Sequence, residues 1–336
     1  MITEAAPEAR PSPKWRLDDS AVRNLGLVGV LVVLVVIGIV TRPELYSDPT
    51  WVRNNILTIL QQASAIGVVT VGMTFVIIGG GIDLSVGAII ALAGVWATTL
   101  ATQSYGAAGM ISTALVVGVC VGLINGVLIS YGRLVPFIAT LAMLVSARGL
   151  AAQISGKQTQ VSANATINGI ATTKLIGIPL LVWILAVVVA AGWVLLNRTT
   201  FGRRTVAVGG NPEAARLAGI DVKRHTVLLY MLVGFCCGLA AIMLTSQATS
   251  AQAAMANLYE LDAIAAAIIG GTLLSGGRGT IIGALFGVLV FSTITNLFAI
   301  NNLSTEVQNM VKGGIIVAAV LVQQFRYRSL TQLLKR

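Results

Sequence analysis

Long apolar stretches alternate with short polar ones along most of the chain. Ten stand out: Leu25–Val40, Ile56–Ile78, Leu84–Ala101, Ala107–Ile129, Val135–Ala151, Ile178–Leu196, Val227–Leu244, Leu258–Leu274, Ile281–Ala299 and Val307–Val322. They run to 16–23 residues, and a helix needs about 20 apolar residues to cross the ~30 Å hydrocarbon core. The pattern predicts an all-α, polytopic transmembrane helical bundle of about ten spans. Seven of the ten are clean. The fifth carries Arg148, the eighth Glu260 and Asp262, and the tenth Lys312, so hydropathy alone marks these three less sharply.

Composition agrees. Of 336 residues, 56% are hydrophobic and 10% charged, so the usual division of a soluble chain of this length into two domains does not apply. The 36 glycines suit membrane helices, whose backbones they let approach closely. The net charge of +10 would suggest nucleic acid in a soluble domain. Here excess Lys and Arg in cytoplasmic loops explains it, and no nucleic-acid role is expected. With ten spans, both tails, Arg133, the 197–226 loop and Arg278 fall on one side. That places 16 basic residues inside against four outside, Arg42, Arg53, Lys157 and Lys174. Both termini are therefore expected in the cytoplasm. Leu25–Val40 is read as a retained first span rather than a signal peptide, because Thr41-Arg42-Pro43 follows it without a small-x-small cleavage site.

The expected layout is a polar, disordered tail over 1–23, a transmembrane domain over 24–325, and a basic cytoplasmic tail over 326–336. Gln153–Gly177 forms the longest outer loop; it is rich in Ser, Thr, Asn and Gln and free of acid. Cys120, Cys236 and Cys237 lie in apolar runs and read as packing residues. One faint internal echo appears: Ile77-Ile78-Gly79-Gly80 with Leu84-Ser85 recurs as Ile268-Ile269-Gly270-Gly271 with Leu274-Ser275.

The chemistry is mostly that of a passage, not of a reaction. One histidine, His225, leaves no Ser-His-Asp set and no metal-ligand spacing, so no catalytic residue, metal or cofactor is expected. No G-x-x-x-x-G-K-[ST] phosphate loop occurs; Ser155-Gly156-Lys157-Gln158 lacks it. Any ATP energy must then come from a separate subunit. Ionisable residues within spans cost about 2.5–3.5 kcal/mol at mid-membrane and each needs a reason. Asp83, next to a glycine break, reads as a cap for the following helix. Glu260 and Asp262, at the outer end of the eighth span, read as capping or pairing groups or as a partner contact. Lys312 can snorkel. Neutral amides and hydroxyls in the second, fourth and ninth spans suggest a route for a neutral sugar or polyol: Gln61, Gln62, Thr74, Asn125 and Asn296. Interhelical hydrogen bonding is the other use of such residues.

The stretch 197–226 is the one conspicuous basic loop, NRTTFGRRTVAVGGNPEAARLAGIDVKRHT. Asn211 suits an N-cap, Pro212 the first helical position, and Gly219 the residue just past the end, giving about two turns of helix. Alone, this could be a solvated loop that serves topology only. Glu213, Ala214, Ala215 and Gly219, however, have the E-A-A-x-x-x-G spacing that ABC importer permeases carry on the short helix meeting their ATPase. Asn211, Pro212, Glu213, Ala214, Ala215, Arg216 and Gly219 are accordingly the expected coupling residues.

Longer strings extend the resemblance. Asn54-Asn55-Ile56-Leu57, Leu60-Gln61-Gln62, Val71-Gly72-Met73-Thr74 and Gly80-Gly81-Ile82-Asp83-Leu84-Ser85-Val86-Gly87 resemble the ribose-type permeases of bacterial ABC sugar importers. So do Pro136-Phe137-Ile138-Ala139-Thr140-Leu141, Gly209-Gly210-Asn211, Tyr259 through Ala266, and Gly270-Gly271-Thr272. The resemblance covers about residues 50–325. It implies a monosaccharide-importing permease in the bacterial inner or plasma membrane, with an architecture like the vitamin-B12-type importers. It also implies a homodimer surrounded by lipid, two ATPase subunits below and an extracytoplasmic sugar-binding protein above. One departure stands out: the I-x-L-P that follows the motif in other importers is replaced by Leu228-Leu229-Tyr230-Met231-Leu232, without proline. The competing readings are an ion-coupled secondary transporter, which would need acids along the pathway, and an integral membrane enzyme, which would need a His, Asp or Glu cluster.

Overall fold

A computed structural model describes residues 19–333, which form fifteen helices and two short two-stranded ribbons. The chain begins with α1 (Asp19–Thr41), a one-turn α2 (Pro43–Tyr46) and a long α3 (Pro49–Ile78). A glycine-rich break leads to α4 (Val86–Ala97), α5 (Leu100–Gln103) and α6 (Gly106–Ser130). Next come α7 (Pro136–Ile154), α8 (Ala165–Thr172) and α9 (Leu180–Arg198), then α10 (Thr200–Gly210) and α11 (Pro212–Leu217). The chain ends with α12 (Val222–Ala248), α13 (Tyr259–Ile269), α14 (Ile281–Ile300) and α15 (Thr305–Leu333). Strands β1 (Gln160–Val161) and β4 (Ser250–Ala251) pair antiparallel, as do β2 (Lys174–Leu175) and β3 (Ile178–Pro179).

All ten apolar segments are helical, but unequally. Seven helices, α1, α3, α6, α7, α9, α12 and α14, are long and apolar enough to cross a membrane. The fifth segment, which Arg148 made ambiguous, is among them as α7. The third, eighth and tenth are not; the tenth lies within the long, more polar α15. At 12 and 11 residues, α4 and α13 extend only about 18 and 16 Å at 1.5 Å per residue. The tail expected over 1–23 lies outside the described residues up to position 18, and α1 already begins at Asp19. At the other end α15 continues through most of the expected basic tail, and 334–336 lie outside the described residues.

Helices start where local chemistry allows. Pro occupies the first turn of α2, α3, α7 and α11, where a missing N–H costs nothing. Side chains of Asp48, Asn164, Thr199, Asn211, Asp221 and Thr280 accept backbone N–H groups at helix starts.

The core gathers around α12. Gly118, Gly122 and Gly126 of α6 lie on one face and press against Gly234, Tyr230 and Val227 of α12; a Cβ at Gly126 would stand 2.7 Å from the Val227 Cα. The four-residue spacing is what brings two membrane helices into backbone contact. Cys236 and Cys237 are buried in this core as expected, whereas Cys120 sits on the exposed face of α6.

The internal echo becomes a structural repeat of two turns. At the end of α3, Gly80 N–H donates to Ile77 C=O at 2.9 Å and Gly81 N–H to Val76 C=O at 2.9 Å. At the end of α13, Gly271 N–H donates to Ile268 C=O at 2.8 Å and Thr272 N–H to Ala267 C=O at 2.9 Å. Gly80 and Gly271 both have φ +86°, a conformation that suits glycine.

Candidate functional site

The segment between α9 and α12 is built as a seated lever with an exposed tip. Thr199 caps α10, accepting from Gly202 N–H at 3.4 Å while donating to Leu195 C=O at 2.6 Å. The body of α10 packs inward. The Phe201 ring lies 6.0 Å from Phe75 of α3 and 4.7 Å from His225 of α12, and Thr205 Oγ1 is 2.9 Å from His225 Nε2. The sole histidine of the chain is thus buried packing, with its polar atom matched by a hydroxyl.

Asn211 then ends α10 and starts α11. Its side chain accepts from Ala214 N–H at 3.0 Å, and Pro212 takes the first helical position. Gly219, at φ +82°, closes the helix: its N–H donates to Arg216 C=O and that of Ile220 to Ala215 C=O, both at 3.0 Å. The result is a six-residue helix, rigid at both ends. Ala215 faces inward at 4% exposure, and Glu213 and Arg216 pair across the surface at 3.0 Å. Such an exposed pair adds little stability. Leu217, outside the expected coupling set, is 82% exposed on the same helix. An apolar side chain on a short polar helix that leaves the bundle is suited to a partner's surface. The one sequence signal for it was a leucine within the E-A-A-x-x-x-G motif.

The expected pathway residues do not form one cluster. Gln62 is exposed. Gln61 Nε2 donates to Ala171 C=O of α8 at 3.2 Å. Thr74 is fully buried and donates to Thr70 C=O within its own helix at 2.7 Å. Asn125 Nδ2 donates to Ser85 Oγ at 2.9 Å, and Asn296 Nδ2 to Asn55 Oδ1 at 2.9 Å. Three of the five therefore tie one element to another.

Each buried acid has a local partner or neighbour. Asp83 Oδ1 accepts from the Ser85 N–H at 2.8 Å and hydroxyl at 2.5 Å, which fixes the start of α4. Asp262 pairs with Lys312 at 3.2 Å, joining α13 to α15, and the Lys312 ammonium also lies 5.1 Å from the Phe291 ring centroid. Lys312 is thus paired rather than snorkelling. Glu260 is buried in the first turn of α13 and faces the first turn of α4: a Cβ at Gly87 would stand 2.7 Å from Glu260 Oε2 and 3.4 Å from Arg148 Nη2. Arg148 itself donates to Ala253 C=O at 2.7 Å and Met255 C=O at 3.1 Å. Among the described residues no group of three or more His, Cys, Asp or Glu could hold a metal.

Seven helices long and apolar enough to cross a membrane, packed around a glycine-rich core, define a multi-pass membrane protein, and α11 stands exposed on its surface. Comparison with known proteins makes the class specific. The chain belongs to the family described as branched-chain amino acid transport system / permease component, whose model matches residues 55–320. It is 38% identical to the ribose import permease of Escherichia coli (strain K12) over 297 residues, 87% of this chain and 92% of that one. It is 41% identical to the ribose import permease of Bacillus subtilis (strain 168), covering 91% and 94%. It is 34% identical to the L-arabinose ABC transporter permease of Azospirillum brasilense, covering 96% and 95%. No solved structure matches the chain.

Proposed function

We propose that this chain is the permease subunit of an ATP-driven importer for a monosaccharide or related polyol. A separate ATPase subunit docks on α11, and an extracytoplasmic sugar-binding protein delivers the solute. The observation that carries this reading is sequence identity of 34–41% with ribose and arabinose permeases over nearly the full chain. The exposed, doubly capped α11 supplies the matching geometry. Glu213 and Arg216 orient on its surface, Leu217 provides apolar contact, and Asn211, Pro212 and Gly219 keep the helix rigid.

In this reading the chain crosses the bilayer ten times, with both termini cytoplasmic and an arrangement like that of the vitamin-B12-type importers. The short α4 and α13 complete their crossings with non-helical chain made mostly of turns, 79–85 before α4 and 250–258 before α13. Non-helical backbone at membrane depth is tolerated where protein surrounds it. The first turns of the two half-helices meet through Gly87 and Glu260, and Asp83 and Glu260 place carboxylates where helix dipoles favour them. Two copies assemble so that their polar faces share a central route. Gln62 remains a candidate for contact with the solute, and the bonds of Asn125 and Asn296 support interhelical roles for them.

An ion-coupled carrier would need acids free to bind and release an ion. Asp83 and Asp262 are instead engaged by Ser85 and Lys312, and Glu260 lies against Arg148. The test is uptake into liposomes that hold the permease, its ATPase and its binding protein. Uptake is expected to require ATP and to ignore a protonophore, and Glu213→Lys and Gly219→Pro are expected to reduce it at wild-type expression. ATP-independent uptake abolished by the protonophore would overturn the proposal.

A further inference from the structure

Where α10 ends, three segments far apart in sequence meet without side chains. Gly209, the penultimate residue of α10, lies so close to the end of α3 that a Cβ there would overlap the Ile78 carbonyl oxygen and stand 2.8 Å from Gly277 N. A Cβ on Gly276 would stand 2.7 Å from Gly209 O and 3.1 Å from Gly80 Cα, and one on Gly277 would stand 2.9 Å from Gly210 Cα. Across this point Gly277 N–H donates to Ile78 C=O at 2.8 Å. That bond ties the turn before α14 to the end of α3. Gly80, Gly276 and Gly277 have φ of +86°, +81° and +74°, a region that L side chains rarely adopt.

We infer that Gly80, Gly209 and Gly276 form a backbone joint through which α11 sets the positions of the α3 end and the α13–α14 turn. The inference rests on α11 being the ATPase docking helix. Asn211, the cap of α11, follows the joint at a distance of two residues from Gly209, so the docking helix and the joint share one rigid stretch of chain. Side chains at such a point could change rotamer and absorb a displacement; backbone held against backbone has no rotamers to change, and close-packed interiors transmit strain. The Phe201–Phe75 and Thr205–His225 contacts hold α10 along the same path, so it moves as a unit with the helices it touches.

The receiving ends are the two turns of the structural repeat. One leads through Asp83 to the first turn of α4, and the other closes α13, whose first turn carries Glu260. Gly87 and Glu260 bring those first turns together. A shift of α11 therefore reaches both half-helices, α4 ahead of its first turn and α13 at its last.

The adjacent Gly210 provides an internal control, since a Cβ there would meet nothing within 4 Å. Gly209→Ala, Gly276→Ala and Gly210→Ala should be compared in liposomes with the ATPase and the binding protein. Binding of the ATPase to the permease, ATP hydrolysed and sugar taken up should each be measured. For Gly209→Ala and Gly276→Ala the expected result is ATPase binding retained, with sugar carried per ATP reduced roughly tenfold or more, the size of an ordinary coupling between sites. Gly210→Ala should match the parent. A merely structural role would lower uptake and hydrolysis together and leave their ratio unchanged, and that result overturns the joint. If Gly209→Ala does not accumulate in the membrane, Thr205→Val releases α10 from His225 without adding bulk at the joint; an unchanged sugar-to-ATP ratio in that variant also overturns it. The docking reading has its own arm: Leu217→Asp should lose ATPase binding, and its retention would sink that reading whatever the glycine variants do.

Discussion

Two short helices, α8 and α11, are joined to each other by α9 and α10, and each packs on α12. They begin alike and end up serving opposite purposes. At the start of α8, Asn164 accepts from Ile167 N–H at 3.1 Å; at the start of α11, Asn211 accepts from Ala214 N–H at 3.0 Å. Beyond the cap they diverge. α8 turns its apolar residue inward, with Ile167 at 0% exposure, and is tied down by Ala171 N–H to Ser246 Oγ at 2.8 Å and by Gln61. α11 turns Leu217 outward and keeps only Ala215 buried. The same capping chemistry thus starts a helix that packs on its own protein in one case and a helix whose apolar side chain stays exposed in the other. Local sequence makes the helix, and packing decides whether its apolar side chain is buried.

The largest effect that would sharpen this contrast comes from placing a carboxylate on each apolar position. Ile167→Asp buries a charge with no partner, and a loss of several kcal/mol is expected, enough to remove folded protein from a thermal unfolding assay in detergent. Leu217→Asp should leave that unfolding unchanged and abolish association with the ATPase. Equal destabilisation by both would mean that α11 is also an internal element.

The two caps give a smaller and finer comparison. Asn164→Ala should cost about 1 kcal/mol of stability, the usual value of an N-cap. Asn211→Ala removes the same kind of bond from a helix that carries little of the core. Its expected signature is weaker ATPase binding with an almost unshifted melting temperature. A melting shift for Asn211→Ala as large as that for Asn164→Ala would break the distinction.

The smallest perturbation tests which side of the membrane each end faces. Ser162, in the middle of the expected outer loop, is only 3% exposed, and its N–H donates to Thr249 C=O at 2.9 Å, so a cysteine there is a poor reporter. Gln158 is exposed. In a cysteine-free background, Gln158→Cys should react with an impermeant thiol reagent from outside, and Leu217→Cys should react only after the membrane is opened. The reverse pattern would invert the whole topology.

Much of this was legible in the residues. Seven of the ten apolar runs became helices long enough to cross a bilayer, because a helix satisfies all its backbone groups within one segment. The caps of α11 were readable at Asn211, Pro212 and Gly219, since capping depends on residues within one turn of each other. The repeated Ile-Ile-Gly-Gly string announced two matching turns for the same reason. Hydropathy, by contrast, measures apolar length and cannot tell helix from apolar turns inside a protein. It therefore gave α4 and α13 full-length apolar segments where the fold uses half-length helices.

What the sequence by itself determined was the class of fold, the number of apolar segments and the local ends of its helices, because periodicity, capping and glycine conformation act over a few residues. What only the tertiary structure decided was partnership. Asn296 meets Asn55, Asp262 meets Lys312, and Gly277 bonds to Ile78, each across tens to hundreds of residues of sequence. The same amide or glycine could equally have faced a solute, a lipid or another helix. Which of these it faces depends on how the helices pack, and packing is set by the fit of all their surfaces together.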